Sequence, residues 1–279
     1  MMTKPSTIQR EHFLVPDWAT AFGEDDEGMF AEFELEGVTW VMRWIEPGSF
    51  TMGSPEDEDG RSSSEILTKP EGPQHTVRIR NGFWFGETAI TQRQWSVVMG
   101  DNPSKFKGED RPVERVSWED LQGYISTLGL KLSEEGQQVP SLGLPTEAQW
   151  EFACRAGTTG PVNVEGAGLD ELAWFDRTGE EGTADVGQKR PNGWGLYDML
   201  GSVWEWCQDG PREYRSEAVA DPAGPLQEGA LRVLRGGGWS DSARACRSAR
   251  RDADDPGNRY GDVGFRLLAG QPEEDPSGW

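Results

Sequence analysis

The stretch Arg232-Val-Leu-Arg-Gly-Gly-Gly-Trp-Ser240-Asp-Ser-Ala-Arg-Ala-Cys-Arg-Ser-Ala-Arg250-Arg-Asp-Ala-Asp-Asp-Pro-Gly-Asn-Arg-Tyr260-Gly-Asp-Val-Gly-Phe-Arg266 reads as a constant frame with interchangeable residues set into it. Between Ser240 and Val263 the interchangeable positions hold Ser, Asp, Ala, Arg, Gly, Asn and Tyr, and the window contains no Lys, Glu, Gln, Met or Trp. The whole chain carries more Glu than Asp, yet this window has five Asp and no Glu. A chemical rule fits the gap. An AAC codon randomised at its two adenines reaches every residue type found at these positions and never Lys, Glu, Gln, Met or Trp.

The segment resembles the variable region of proteins diversified by diversity-generating retroelements, in which adenine-directed mutagenesis rewrites Asn-type codons inside a constant frame. The frame here is Gly236, Gly237, Trp239, Ala243, Arg244, Cys246, Arg247, Ser248, Ala249, Arg251, Pro256, Arg259, Gly264, Phe265 and Arg266. The slots are Ser240, Asp241, Ser242, Ala245, Arg250, Asp252, Ala253, Asp254, Asp255, Gly257, Asn258, Tyr260, Gly261 and Asp262. The resemblance implies that these slots form a ligand-binding patch and that the protein is of bacterial or phage origin.

Working outward, 279 residues suffice for a substantial core, and nothing in the composition forces two domains. Hydrophobic residues are 35% and charged residues 27%, with 13 Trp, 36 Gly and 18 Pro, which suits short elements and many turns rather than a helical bundle. The expected organisation is a leader over 1–28, one domain over 29–270 with the variable region at about 232–266, and a tail over 271–279. A net charge of −22 gives nucleic-acid binding the wrong electrostatic sign and makes anionic membranes poor partners. The acidic runs Gly23-Glu-Asp-Asp-Glu27 and Glu56-Asp-Glu-Asp59 read as solvated loops.

No apolar stretch resembles a signal peptide or a membrane span, so a cytoplasmic location and no membrane insertion are expected. Cys154, Cys207 and Cys246 are odd in number and form no CxxC pair, which points to a reducing compartment and to buried packing thiols. No coiled-coil pattern or exposed apolar stripe is evident, and a monomer is expected.

Met29-Phe-Ala-Glu-Phe-Glu-Leu-Glu alternates apolar and charged residues as a strand, and Gly37-Val-Thr-Trp-Val-Met-Arg-Trp-Ile45 follows as a second. Residues 54 to 75 are polar and read as a long surface loop before a strand at His75-Thr-Val-Arg-Ile-Arg. Helices are predicted over Thr91–Met99, closed by Gly100, from Ser117 onward, and from the capping box Thr146-Glu-Ala-Gln149 to Gly157. From Pro191 onward the chain reads as short Trp-rich strands separated by glycines.

These blocks carry a second, broader resemblance. Phe50-Thr-Met-Gly-Ser, Glu87-Thr-Ala-Ile-Thr-Gln, Pro112-Val-Glu-Arg-Val-Ser-Trp-Glu-Asp, Leu144-Pro-Thr-Glu-Ala-Gln-Trp-Glu-Phe-Ala, Asn192-Gly-Trp-Gly-Leu-Tyr-Asp-Met-Leu-Gly-Ser-Val-Trp-Glu-Trp206 and Arg235-Gly-Gly-Gly-Trp…Gly264-Phe-Arg resemble the formylglycine-generating sulfatase-modifying family. The likeness runs from about Met42 to Leu268 and implies an α+β, C-type-lectin-like fold with few helices and many short strands and loops. Within it, Arg244, Arg247 and Arg251 are expected to anchor the segment through carboxylates or backbone carbonyls.

Enzymes of that family bind copper and oxidise a substrate cysteine with two cysteines five residues apart in this same segment. Aligned on Arg247-Ser-Ala-Arg-Arg251, those positions fall on Ala243 and Ser248. Cys246 between them supplies one thiol, and a soft-metal site of that kind needs two. His12 and His75 are far apart, which disfavours a triad or a histidine zinc cluster, and no GxxxxGK[ST] loop occurs. The resemblance also implies a calcium site near Gly-Asn-Val-Trp-Glu-Trp. Here the stretch is Gly201-Ser-Val-Trp-Glu-Trp206, where Ser202 offers a weaker ligand while Glu205 and backbone oxygens remain hard donors. A structural calcium ion is compatible with that set; no cofactor is required, and the metal assignment stays open.

The expectation is a non-enzymatic binding protein whose partner is an unidentified protein or other macromolecule, with no nucleic acid bound. Trp239 is expected to support the loop, while Tyr260 and the acids Asp241, Asp252, Asp254, Asp255 and Asp262 form an acidic patch with one aromatic anchor. The alternatives are a fixed accessory or signalling module of the sulfatase-modifying family, or a divergent metal-dependent oxidase.

Overall fold

The computed structural model describes residues 15–61 and 70–270. Its first half runs β1 (Ala21–Asp25), β2 (Gly28–Leu35), β3 (Val38–Ile45), β4 (Gly48–Met52), β5 (His75–Ile79) and β6 (Phe83–Gly86), then α1 (Gln92–Met99) and α2 (Trp118–Glu134). The second half runs β7 (Ser141–Gly143), α3 (Glu147–Arg155), α4 (Leu169–Leu172), β8 (Trp204–Trp206), β9 (Val219–Ala220), β10 (Arg232–Arg235), β11 (Arg251–Asp254), β12 (Val263–Gly264) and β13 (Leu268–Gly270).

The alternation of β2 and β3 puts one face of each strand into the core. Ala31, Phe33 and Leu35 are buried beside Trp40 and Met42, and Phe33 pairs in register with Trp40 and stacks on it at 5.2 Å. Helix α2 covers this face because Leu121, Tyr124, Leu128 and Leu132 recur at helical spacing and are all buried. Its Ser117 cap accepts from Asp120 N while Asp120 accepts from Ser117 N, the reciprocal pair that satisfies two otherwise unpartnered amides. Trp95 of α1 stacks on Tyr124 at 5.2 Å, and Phe265 meets both rings edge-on.

The six-stranded sheet has the order β1-β2-β3-β6-β13-β7, so the last strand returns to lie between β6 and β7. That return stretches the residues between β10 and β13 across one end of the molecule. There a four-stranded sheet, β11-β10-β8-β12, carries the variable segment on both outer strands.

Three expectations are corrected. The segment expected as a leader over 1–28 contains β1, which pairs with β2, and Trp18, whose ring packs edge-on against Phe33 and Trp84. Trp18 and β1 therefore pack on the sheet rather than forming a leader; β1 escaped the pattern because its side chains are mostly exposed rather than alternating. The acidic runs are not wholly solvated either, since Asp25 pairs with Arg43 at 2.7 Å and Glu58 with Arg247 at 2.6 Å. Helix α3 ends one residue earlier than predicted: Ala156 itself takes the left-handed cap, with φ 44°, and Gly157 follows with φ 89°.

Candidate functional site

The Arg232–Arg266 segment is held by buried arginines aimed at glutamates: Glu147 and Glu151 on α3, Glu205 on β8 and Glu71 in the loop before β5. Arg251 meets Glu147 with a fork, Nε to Oε1 and Nη2 to Oε2 both at 2.6 Å. Arg235 pairs with Glu151 and donates to the carbonyls of Ser248 at 3.0 Å and Ala249 at 2.9 Å, which clamps the chain 13 and 14 residues downstream. Arg247 reaches both oxygens of Glu71 at 2.8 Å, and Arg266 pairs with Glu205 at 2.9 Å while donating to Gly86 O and Tyr197 O. Buried ions are tolerable only when paired and hydrogen-bonded, and carboxylates and carbonyls meet that need for these guanidiniums except at Arg235 Nε, which has no hydrogen-bond partner and lies 3.9 Å from Glu147 Oε1. Burial opposes ionisation of Glu151, but the charges of Arg155 and Arg235 outweigh it and hold its carboxyl below the usual range.

Sequence reasoning placed Arg247 and Arg251 correctly as anchors and missed their partners. Glu147 and Glu151 lie one turn apart on α3, and Glu71 sits in what reads as a surface loop, yet all three are fully buried. Arg244 differs from expectation: its side chain is 74% exposed and makes only a surface ion pair, 3.5 Å from the still more exposed Asp59.

Frame and slots separate by burial. Of the frame residues, all but Ala243, Arg244 and Arg259 are buried. Of the slots, Ser240, Ser242, Asp255 and Tyr260 are exposed, and Asp241, Ala245, Arg250, Asp252, Ala253, Asp254, Gly257, Asn258, Gly261 and Asp262 are half-buried. The glycines separate in the same way. Gly236 and Gly237 have φ of 101° and 82°, where side chains are strained, and a Cβ on Gly264 would lie 2.5 Å from Val113 O. Gly257 and Gly261, both slots, have ordinary backbone conformations, and the nearest atoms to an added Cβ are 3.3 Å and 3.7 Å away.

The slot face is preorganised by local hydrogen bonds. Asp254 accepts from Asn258 Nδ2 at 2.8 Å, and Asp255 accepts from Gly257 N at 2.9 Å. Asp241 does not face outward as a recognition acid: its Oδ2 accepts from Trp204 Nε1 at 2.7 Å and from Gly238 N at 2.9 Å. Burial and the neighbouring Asp241 charge push the Asp262 carboxyl up. Tyr260 is 44% exposed, and its hydrogen bond to Asp254 raises its phenol. Trp239 supports the loop from beneath, donating Nε1 to Gly261 O at 2.9 Å and meeting Phe106 edge-on.

Cys154, Cys207 and Cys246 are free and buried, and burial pushes the Cys154 and Cys246 thiols up to about 12. Such thiols are poor nucleophiles and poor metal ligands at neutral pH. Ser248 is buried against Cys154, whose Sγ lies 3.7 Å from its Oγ, whereas Ala243 is exposed. The donor set does not fit the family's copper centre. Nor does Glu205 fit as a calcium ligand: Arg266 and Trp150 Nε1, the latter at 2.7 Å, take its two oxygens. Among the described residues no three His, Cys, Asp or Glu side chains converge as a metal cluster. His75 is buried, with Nδ1 on Pro73 O at 3.1 Å and Nε2 facing Arg212 at 2.9 Å; His12 lies outside the described residues. No helix among them is long and apolar enough to cross a membrane.

Residues 31–270 match the family described as Sulfatase-modifying factor enzyme 1-like domain. The chain is 31% identical over 233 residues to Chaperone protein LppX of Paenibacillus barcinonensis, covering 67% of this chain and 79% of that protein. It is 37% identical over 179 residues to the formylglycine-generating enzyme of Streptomyces coelicolor, covering 56% of this chain and 52% of the enzyme, and so spans about half of the latter. Among solved structures, Treponema denticola variable protein 1 superposes with a TM-score of 0.72 at 30% identity, over 87% of this chain and 99% of that one. PvdO from Pseudomonas aeruginosa superposes at 0.68 and 24% identity, over 91% and 99%. The shared architecture is the α+β, C-type-lectin-like fold expected from the sequence motifs.

Proposed function

The chain belongs to the sulfatase-modifying factor enzyme 1-like family, and from that premise we propose that it is a non-catalytic receptor-type member whose slot face, diversified by a retroelement, binds a macromolecular ligand. The observation that carries this reading is the segregation of the segment: no slot is buried, and twelve of the fifteen frame residues are. Side chains can then change on the face while the arginine frame beneath stays fixed, the division of labour that suits recognition on a rigid scaffold. The likeness to a solved variable protein supports it. Loss of both thiol positions to Ala243 and Ser248, and the commitment of Glu205 to Arg266, support a binding role over the family's oxidase chemistry.

The protein acts as a monomer without a required cofactor, and its acidic character argues against a nucleic-acid ligand. A fixed partner-binding module is the second reading, favoured by the similarity to a protein named a chaperone. The coding DNA separates the two. A nearby near-repeat of the Arg232–Arg266 coding stretch, carrying adenines at the slot codons and lying beside a reverse transcriptase gene, is the expected result. Absence of such a repeat from the flanking kilobases overturns the diversified reading and leaves the fixed module.

A further inference from the structure

Beside the slot face lies a second concavity that uses neither slots nor frame. A cavity of about 470 Å³ opens between Arg111, Trp174, Arg177, Asp185 and Lys189. Two backbone bonds join its wall to the variable segment: Asp176 N donates to Asp241 O at 2.8 Å and Arg177 N to Trp239 O at 2.9 Å. A ligand seated on Ser240 and Ser242 therefore has this cavity within reach.

Its charge runs against the rest of the molecule. The chain carries −22, yet this wall gathers three cations around a single carboxylate, Asp185, which is 56% exposed and 4.0 Å from Arg111 Nε. Lys189 Nζ sits 4.0 Å and the Arg177 guanidinium 4.8 Å from the centre of the Trp174 ring. Both are positioned by neutral carbonyls, Lys189 by Asp170 O at 2.6 Å and Arg177 by Gly182 O at 2.8 Å. Among the described residues neither has a carboxylate within ion-pair distance. An indole face and carbonyls orient these cations without an ion pair, and the carboxylates that act on them, Glu181 on Arg177 and Asp198 on Lys189, do so from beyond ion-pair distance. The buried Trp174 Nε1 has no hydrogen-bond partner among the described residues.

We propose that this cavity is an oxyanion subsite, taking a carboxylate, sulfate or phosphate group of the ligand that the slots engage. Arg111 and Arg177 supply planar donor forks and Lys189 a point charge, a set suited to a tetrahedral or planar oxyanion. The subsite gives every sequence variant of the slot face one constant contact. The net negative field of the molecule keeps its affinity for a free ion weak, and the contact gains weight when the anion is tethered to a ligand already held by the slots.

The test is calorimetric titration of the full chain with sodium phosphate, sodium sulfate and sodium acetate, at constant ionic strength. The expected result is saturable binding of at least one of them in the millimolar range, weakened about tenfold or more in Lys189→Gln and in Arg111→Gln. Binding of phosphate or sulfate without acetate assigns a tetrahedral group; binding of acetate assigns a carboxylate. Arg111 stands at the rim, so its variant keeps the test open should Lys189→Gln unfold. Tyr260→Ala is expected to leave ion binding unchanged, which separates this subsite from the slot reading. No saturable binding by any of the three ions, or binding that both charge-removing variants leave intact, overturns the proposal.

Discussion

Arg251 grips Glu147 with one edge of its guanidinium, Nε to Oε1 and Nη2 to Oε2 at 2.6 Å each, and both side chains are buried. Arg251 opens strand β11 and Glu147 opens helix α3, so one ion pair ties the variable sheet to the helix beneath it. Replacing Arg251 by Met leaves Glu147 as a buried carboxylate without its fork, and a loss of about 3–5 kcal/mol is expected. Urea denaturation of Arg251→Met reads this as a lower midpoint. Arg251→Lys recovers part of it, because an ammonium cannot serve both oxygens in one plane.

The two classes of glycine give opposite outcomes. Gly237→Ala forces a side chain at φ 82° with its Cβ 3.1 Å from Ala245 O and 3.2 Å from Cys246 Sγ, and a cost of about 1–3 kcal/mol is expected. Gly261→Ser meets only ordinary contacts with Glu114 and Phe106, and stability should stay within about 0.5 kcal/mol of the parent. Thermal melts of the pair check this, and equal effects of both would remove the physical basis for separating frame from slot.

Asp198 supplies a pH signature. It is buried with Oδ2 accepting from Gly187 N at 2.7 Å and Oδ1 unpartnered, and burial pushes its carboxyl up to about 6 from 3.8. Across that window the folded chain retains a proton that the unfolded chain releases, so the stability owed to this group falls as pH rises from about 4 to 6 and levels off above. Asp198→Asn removes the titrating group, and asparagine suits the residue's φ of 54°. The variant should gain on the parent by about 2–3 kcal/mol between the two ends of the window, read from denaturant midpoints at each pH.

Thiol titration addresses the chemistry. All three cysteines are buried, and the Cys154 and Cys246 thiols are pushed up to about 12. Ellman's reagent at pH 8 should modify none of them in the native protein within minutes and three per chain in guanidinium. Rapid native modification of Cys246 would point to an accessible thiolate in the segment.

Local physics was legible from residue order alone. Caps at Thr91, Ser117 and Thr146 and the strand alternation of β2 and β3 needed no partners outside their own neighbourhoods, since capping and pleat act over a few residues. The residue types alone proposed a division into slots and frame, and the burial of the proposed frame residues agrees with it. Strand β1 was not, since its outward side chains carry no alternation, and neither was the inward turn of Glu58 and Glu71 toward Arg247. Those contacts join residues 176 or more positions apart, and no spacing rule spans that distance. The sequence by itself determined most of the elements and the fold family. Only the tertiary structure decided which acids neutralise the buried arginines, that Asp241 and Glu205 are structural, and that cations gather around Trp174 beside the slots, because burial and ion pairing are properties of neighbours in space.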